Sequence, residues 1–95
     1  MVARLILGRA FYNYTMNNKY IVPLSAHSLL VVNSQGYIRE LFCPIRMQCI
    51  KAVHTIPFGT WVHVDKLAIS AKHHLMYRVN GTWYVYECFA IIIHF

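Results

Sequence analysis

The pattern of apolar and polar positions along this chain is that of β-strands and turns rather than helices. The clearest stretch is Leu75-Met-Tyr-Arg-Val-Asn-Gly-Thr-Trp-Tyr-Val-Tyr86. Asn80-Gly81 between two β-rich runs predicts a two-residue hairpin turn, because both turn positions need positive φ. The register that follows opposes Val79 to Thr82, Arg78 to Trp83, Tyr77 to Tyr84, Met76 to Val85 and Leu75 to Tyr86. Leu75, Tyr77, Val79, Tyr84 and Tyr86 then share one face, while Met76, Arg78, Trp83, Val85 and Glu87 share the other. Opposed side chains touch, so Arg78 is expected over the Trp83 ring.

Upstream, Ile56-Pro-Phe-Gly-Thr60 reads as a type I turn with Pro57 second and Gly59 fourth. It separates a strand over 47–54 from one over 60–69. In the latter, Val62, Val64 and Lys66 point one way and Trp61, His63 and Asp65 the other. Residues 71–74 lead into the hairpin. The run Cys88-Phe-Ala-Ile-Ile-Ile-His-Phe95 does not alternate, which predicts a strand covered on both faces or packed at an interface. In the first half, Ser28–Val32, a turn at Asn33-Ser-Gln-Gly36 and Tyr37–Phe42 form a second hairpin. Phe11–Thr15 and Lys19–Val22 are short strands about a turn at Met16–Lys19. Helical periodicity is poor everywhere except over 2–7, where a short helix is expected.

From Gln48 to Ile92 the segments QCIKAVHTIPFGTWVHVDKL and HLMYRVNGTWYVYECFAII give strand, turn, strand, loop, strand, Asn-Gly and strand. With its Pro-x-Gly-Thr turn running into Val62-His-Val64, this half of the chain resembles an SH3-like small β-barrel of the kind found in short bacterial and phage proteins. The resemblance implies an all-β fold. A small SH3-like β-barrel over 46–95 would carry an N-terminal β-hairpin extension over 1–45, the whole forming one domain. No binding residue comes with it, since the aromatic groove of peptide-binding SH3 domains has no counterpart at matching positions. Fold alone does not fix function.

Composition sharpens this picture in two ways. An apolar fraction of 58% excludes intrinsic disorder, and a charged fraction of only 13% leaves apolar surface exposed. Exposed apolar patches mark a protein partner, self-association or a membrane. The longest uncharged stretch, 20–38, is broken by Pro23, His27, Asn33 and Gly36, so no membrane span is expected. The apolar run within residues 1–8 is too short for a signal peptide, and a cytoplasmic location follows. The odd set Cys43, Cys49 and Cys88 fits that compartment and reads as buried small hydrophobes rather than a disulfide framework. The sequons at Asn13 and Asn80 then have no consequence.

Nine Lys and Arg oppose three acids, a formal charge of +6 that favours anionic partners but is dispersed along the chain. Catalytic constellations are missing. Cys43 and Cys49 are six apart and His73-His74 are adjacent, which is not structural zinc spacing, so no metal or other cofactor is expected. A Cys49 or Cys88 thiol beside His54 or His63 would need an exposed, electropositive pocket, whereas both cysteines lie in apolar strands. Glu40, Asp65 and Glu87 are far apart in sequence. No phosphate loop or nucleophile elbow occurs, and the chain is read as having no catalytic residues.

Aromatic and basic residues are the remaining candidates. Trp61, Lys66, Arg78 and Trp83 would form a binding patch if the two Trp rings share an outward face, and bases stack on such rings in small barrels. The competing expectation, favoured because a core this small needs its large aromatics, makes both Trp core or interface residues. The sequence therefore points first to a non-enzymatic binding module acting through an aromatic surface, with a protein partner or with itself. A basic barrel binding nucleic acid is the alternative, followed by a phage or mobile-element accessory protein that sequesters a host factor.

Overall fold

The structure, a computed structural model, describes the backbone of residues 3–4 and residues 13–53 and 55–95 in full. The chain is all-β, in three antiparallel sheets of which none closes into a barrel. The first sheet is a meander of β2 (Tyr14–Met16), β3 (Lys19–Ser25), β4 (Ser28–Val32) and β5 (Ile38–Phe42), in that order. The second holds β6 (Ile45–Cys49), β7 (Trp61–Val64) and β11 (Phe89–Ala90), in the order β11-β6-β7. The third holds β1 (Ala3–Arg4), β8 (Lys66–Ser70), β9 (Leu75–Val79) and β10 (Thr82–Val85), in the order β1-β8-β9-β10. A 3-10 turn, Tyr86–Cys88, leads from β10 to β11. No helix among the described residues is long and apolar enough to cross a membrane.

Hairpins form where turn chemistry and alternation agree. Asn80 and Gly81 take φ of +51° and +79°, and β9 pairs with β10 as predicted from Val79–Thr82 through Met76–Val85. The fifth predicted pair fails because Tyr86 enters the 3-10 turn, where its ring meets Tyr14 edge-on at 5.2 Å. Asn17 and Asn18 likewise have positive φ in the β2–β3 turn. The β4–β5 hairpin closes on Asn33, whose N–H donates to the Tyr37 carbonyl at 3.0 Å and whose Oδ1 accepts from Gln35 and Tyr37 N–H.

Several expectations need correction. The hydrogen-bonded turn before β7 begins at Pro57, whose carbonyl accepts from Thr60 N–H at 3.3 Å. Gly59 is therefore third, with φ of +88°, a conformation that glycine alone takes without strain. The strand expected over 60–69 breaks at Asp65, whose N–H donates to the Arg78 carbonyl. Asp65 and Lys66 both stay out of the core between buried Val64 and Leu67, so Lys66 leaves the inward series assigned to it. The break passes the chain from the second sheet to the third. The strand expected to 54 ends at Cys49, and His54 lies outside the described residues. At the C-terminal run, Cys88 to Ile91 is buried as the lack of alternation implies, but strand pairing covers only Phe89–Ala90 and Ile92 is half exposed. Within the helix expected over 2–7, Ala3 and Arg4 are strand, paired with Ser70 and Ile69. The rest of that segment, and Phe11 and Tyr12 of the first expected strand, lie outside the described residues.

All three sheets contribute to one buried cluster. Leu29 and Val31 come from the first, Met47, Val64 and Phe89 from the second, and Leu67, Ile69, Leu75 and Tyr77 from the third. Polar links join the first 45 residues to the remainder. Leu67 N–H donates to the Ala26 carbonyl at 2.8 Å, the Tyr14 hydroxyl to the His73 carbonyl at 2.7 Å, and Arg39 Nη1 to the His94 carbonyl at 2.7 Å.

Tyr77 sits deepest among the aromatic residues, and its hydroxyl is buried with no hydrogen-bond partner. Burial holds this phenol far above its ordinary pKa, so it stays neutral. An unmet buried hydroxyl costs about 1–3 kcal/mol, so Tyr77→Phe is expected to raise the unfolding free energy by about 1 kcal/mol in urea titration. A loss of that size would show that the hydroxyl has a partner after all.

Candidate functional site

Three of the four residues singled out in the sequence lie in one cross-strand row. Lys66 on β8 opposes Arg78 on β9, which opposes Trp83 on β10. Arg78 Cζ lies 5.9 Å from the Trp83 ring centroid, within cation–π reach. Its stronger contact is with Asp65. Nε donates to Oδ1 at 3.1 Å and Nη2 to Oδ2 at 2.9 Å, a fork-to-fork pair. The break at Asp65 that divides β7 from β8 brings this carboxylate against a residue 13 positions away. The Arg78 hydrogen bonds hold the Asp65 carboxyl below its ordinary value, and Asp65 in turn raises Arg78. The row therefore offers an anion less than its composition implies, because the Arg78 charge is already balanced.

Trp61 stands apart from this row, on β7 of the second sheet. It faces outward with 43% of its surface exposed, since Val62 and Val64 take the inward positions. Arg46 on β6 stacks over it, with Cζ 4.1 Å from the ring centroid. β6 and β7 pair Gln48 with Trp61 and Arg46 with His63, so Arg46 reaches the ring diagonally. Without that register nothing in the sequence distinguishes Arg46 from any other cation. Neither Trp ring is a core residue: Trp61 is exposed and Trp83 half-buried, and among the described residues Tyr77, Phe89 and Tyr14 are the buried aromatic side chains. For Trp61 the physical reason is parity, since Val62 and Val64 on either side of His63 take the inward positions of β7.

A further apolar display, not singled out in the sequence, lies on the first sheet. Tyr20, Val32 and Ile38 form one cross-strand row, with Val22, Leu30 and Glu40 in the next and Phe42 opposite Ser28. Ile38 and Phe42 are 60% and 66% exposed. Alternation in β4 and β5 predicts two faces, but only the packing shows which is covered.

The thiols are unsuited to nucleophilic work. Cys49 and Cys88 are buried as expected, whereas Cys43 is only half-buried. Desolvation pushes the Cys43 thiol up to about 11 and raises that of Cys88, opposite to the depression a reactive thiolate requires. His63, His73 and His74 are exposed, and among the described residues no three His, Cys, Asp or Glu converge on a metal position. No family model, curated protein or solved structure matches the chain.

The Asp65–Arg78 fork makes a titration prediction. Because Arg78 lowers the Asp65 pKa, the contribution of the pair is complete above the unfolded value of 3.8 and is lost as pH falls through the lower folded value. Carboxyl-carbon NMR is expected to place the Asp65 midpoint below 3.8 in the native chain, moving up towards that value in Arg78→Gln. An Asp65 midpoint that ignores the substitution would contradict the geometry.

Proposed function

We propose that this chain is a non-enzymatic protein-binding module that works through exposed aromatic and aliphatic side chains. Its second half, 46–95, is read as an open relative of the SH3-like small β-barrel. Support for that reading comes from β7 running into β8 across a sheet boundary, and from β11 returning after the 3-10 turn to pair with β6. The observation that carries the function is the outer face of the first sheet, where Tyr20, Ile38 and Phe42 stand exposed beside Val32 and Leu30 around a single charge, Glu40. Fully burying one such side chain is worth about 1.5–3 kcal/mol, so covering several can offset the cost of association.

Nucleic-acid binding is the second reading. It is favoured by the net charge of +6 and by two surface Arg–Trp pairs, and weakened by Asp65, which occupies the Arg78 fork.

Sedimentation velocity from low to high micromolar concentration, at low and high salt, separates the two. The protein-binding reading expects self-association that survives salt and is weakened about tenfold or more by Ile38→Asp or Phe42→Asp. A monomer under all conditions, together with binding of a single-stranded oligonucleotide that drops steeply between about 50 and 200 mM salt, would replace it with the nucleic-acid reading.

A further inference from the structure

Between β5 and the C-terminal segment Ile91–His94 runs an open cleft of about 480 Å³, within the size range of ligand sites. Leu41, Ile45 and Ile91 supply apolar lining, and Arg39 and Arg46 supply two guanidinium groups. No acidic side chain lines the cleft. Among the described residues the one ion pair is Arg78–Asp65, so neither Arg39 nor Arg46 is paired with a carboxylate. Arg39 bridges the cleft by donating from Nη1 to the His94 carbonyl, which leaves its remaining N–H groups for a ligand. Arg46 links the cleft to the surface of the second sheet, where it stacks on Trp61.

Among the described residues the wall formed by β5 is a sheet edge, since β5 ends the order β2-β3-β4-β5. Its open backbone groups can be assigned from the ladder. Cys43 N–H donates to the His27 carbonyl and the Tyr37 carbonyl accepts from Asn33, so the odd-numbered residues hydrogen-bond towards β4 and its turns. Alternation then turns the N–H and C=O groups of Ile38, Glu40 and Phe42 towards the open edge. A free edge beside an apolar floor is the geometry of strand addition, in which main-chain hydrogen bonds hold an extended segment and alternate side chains select it.

We propose that this cleft binds an extended acidic segment of a partner protein as a fifth strand on β5. Apolar side chains of the segment rest on Leu41, Ile45 and Ile91, and its carboxylates meet Arg39 and Arg46. Glu40 lies on the other face of β5, one position from Arg39, and so discourages acidic residues on that side. The chemistry selected is alternation of acidic and apolar residues in an extended peptide, with a neutral or apolar outer face. This inference rests on the protein-binding reading and adds a place and a partner class to it.

The test uses the intact chain, nitrogen-15 labelled and dilute enough to be monomeric. It is titrated with a capped heptapeptide alternating Glu with Val and Leu. Controls are the same peptide with Lys for Glu, and the acidic peptide N-methylated at alternate amides. Expected are shifts of the Ile38, Glu40 and Phe42 amides and of the Trp61 indole N–H, an affinity about tenfold above that of the Lys peptide, and loss of binding on N-methylation. Arg39→Glu with Arg46→Glu reverses the preference towards the Lys peptide. Equal affinity for the two peptides, insensitivity to N-methylation, or no shift at β5 would overturn the proposal. Salt-stable self-association would still support the protein-binding reading in any of those cases, so the two fail separately.

Discussion

Three small sheets each have to bury one apolar face against a single core. Everything else in the molecule follows from that requirement. A chain of 95 residues hides only roughly two-thirds of the surface it exposes when unfolded. Leu29, Met47, Leu67, Tyr77 and Phe89 meet in the middle, and the inward positions of all three sheets are spent there. The core is continuous enough to tolerate one unmet hydroxyl, that of Tyr77. With more than half the residues apolar, side chains left over from the core have to stand on outer faces. Those outer faces are where recognition is available.

Local rules made the hairpins legible. Asn80-Gly81, Asn17-Asn18 and the Asn33–Gly36 turn each contain residues that adopt the positive φ a tight turn needs, and the two-residue Asn80-Gly81 turn also set a strand register from sequence alone. Legibility stopped where geometry depended on distant contacts. Asp65 does not announce a strand break, because its role arises from meeting Arg78 across the β7–β8 junction. The C-terminal run shows the same limit. Its continuous apolarity marked burial correctly for Cys88 to Ile91, but apolarity does not tell a strand from a 3-10 turn followed by a two-residue bridge.

The candidate surface was legible in composition and less so in arrangement. Lys66, Arg78 and Trp83 fell together because one hairpin register and one sheet neighbour place them. Trp61 sits on another sheet, with an arginine whose proximity needs the β6–β7 register. Period-two reasoning also shows why the Trp61 ring stands outside the core, since it lies out of phase with buried Val62 and Val64, whereas β10, which carries Trp83, holds no buried residue. The apolar display on β3, β4 and β5 went unrecognised for the converse reason. Both faces of that sheet are apolar, so alternation could not say which one the core would claim.

Recognition at this edge requires β5 to be a formed strand with one side unpaired. Residue-resolved amide hydrogen exchange on the dilute chain tests that directly. Arg39, Leu41 and Cys43, bonded towards β4 and its turn, are expected to exchange slowly, while Ile38, Glu40 and Phe42 exchange fast. Uniform protection across 38–43 would mean that the edge is already covered, and uniform fast exchange that β5 does not form. Either result would contradict the account.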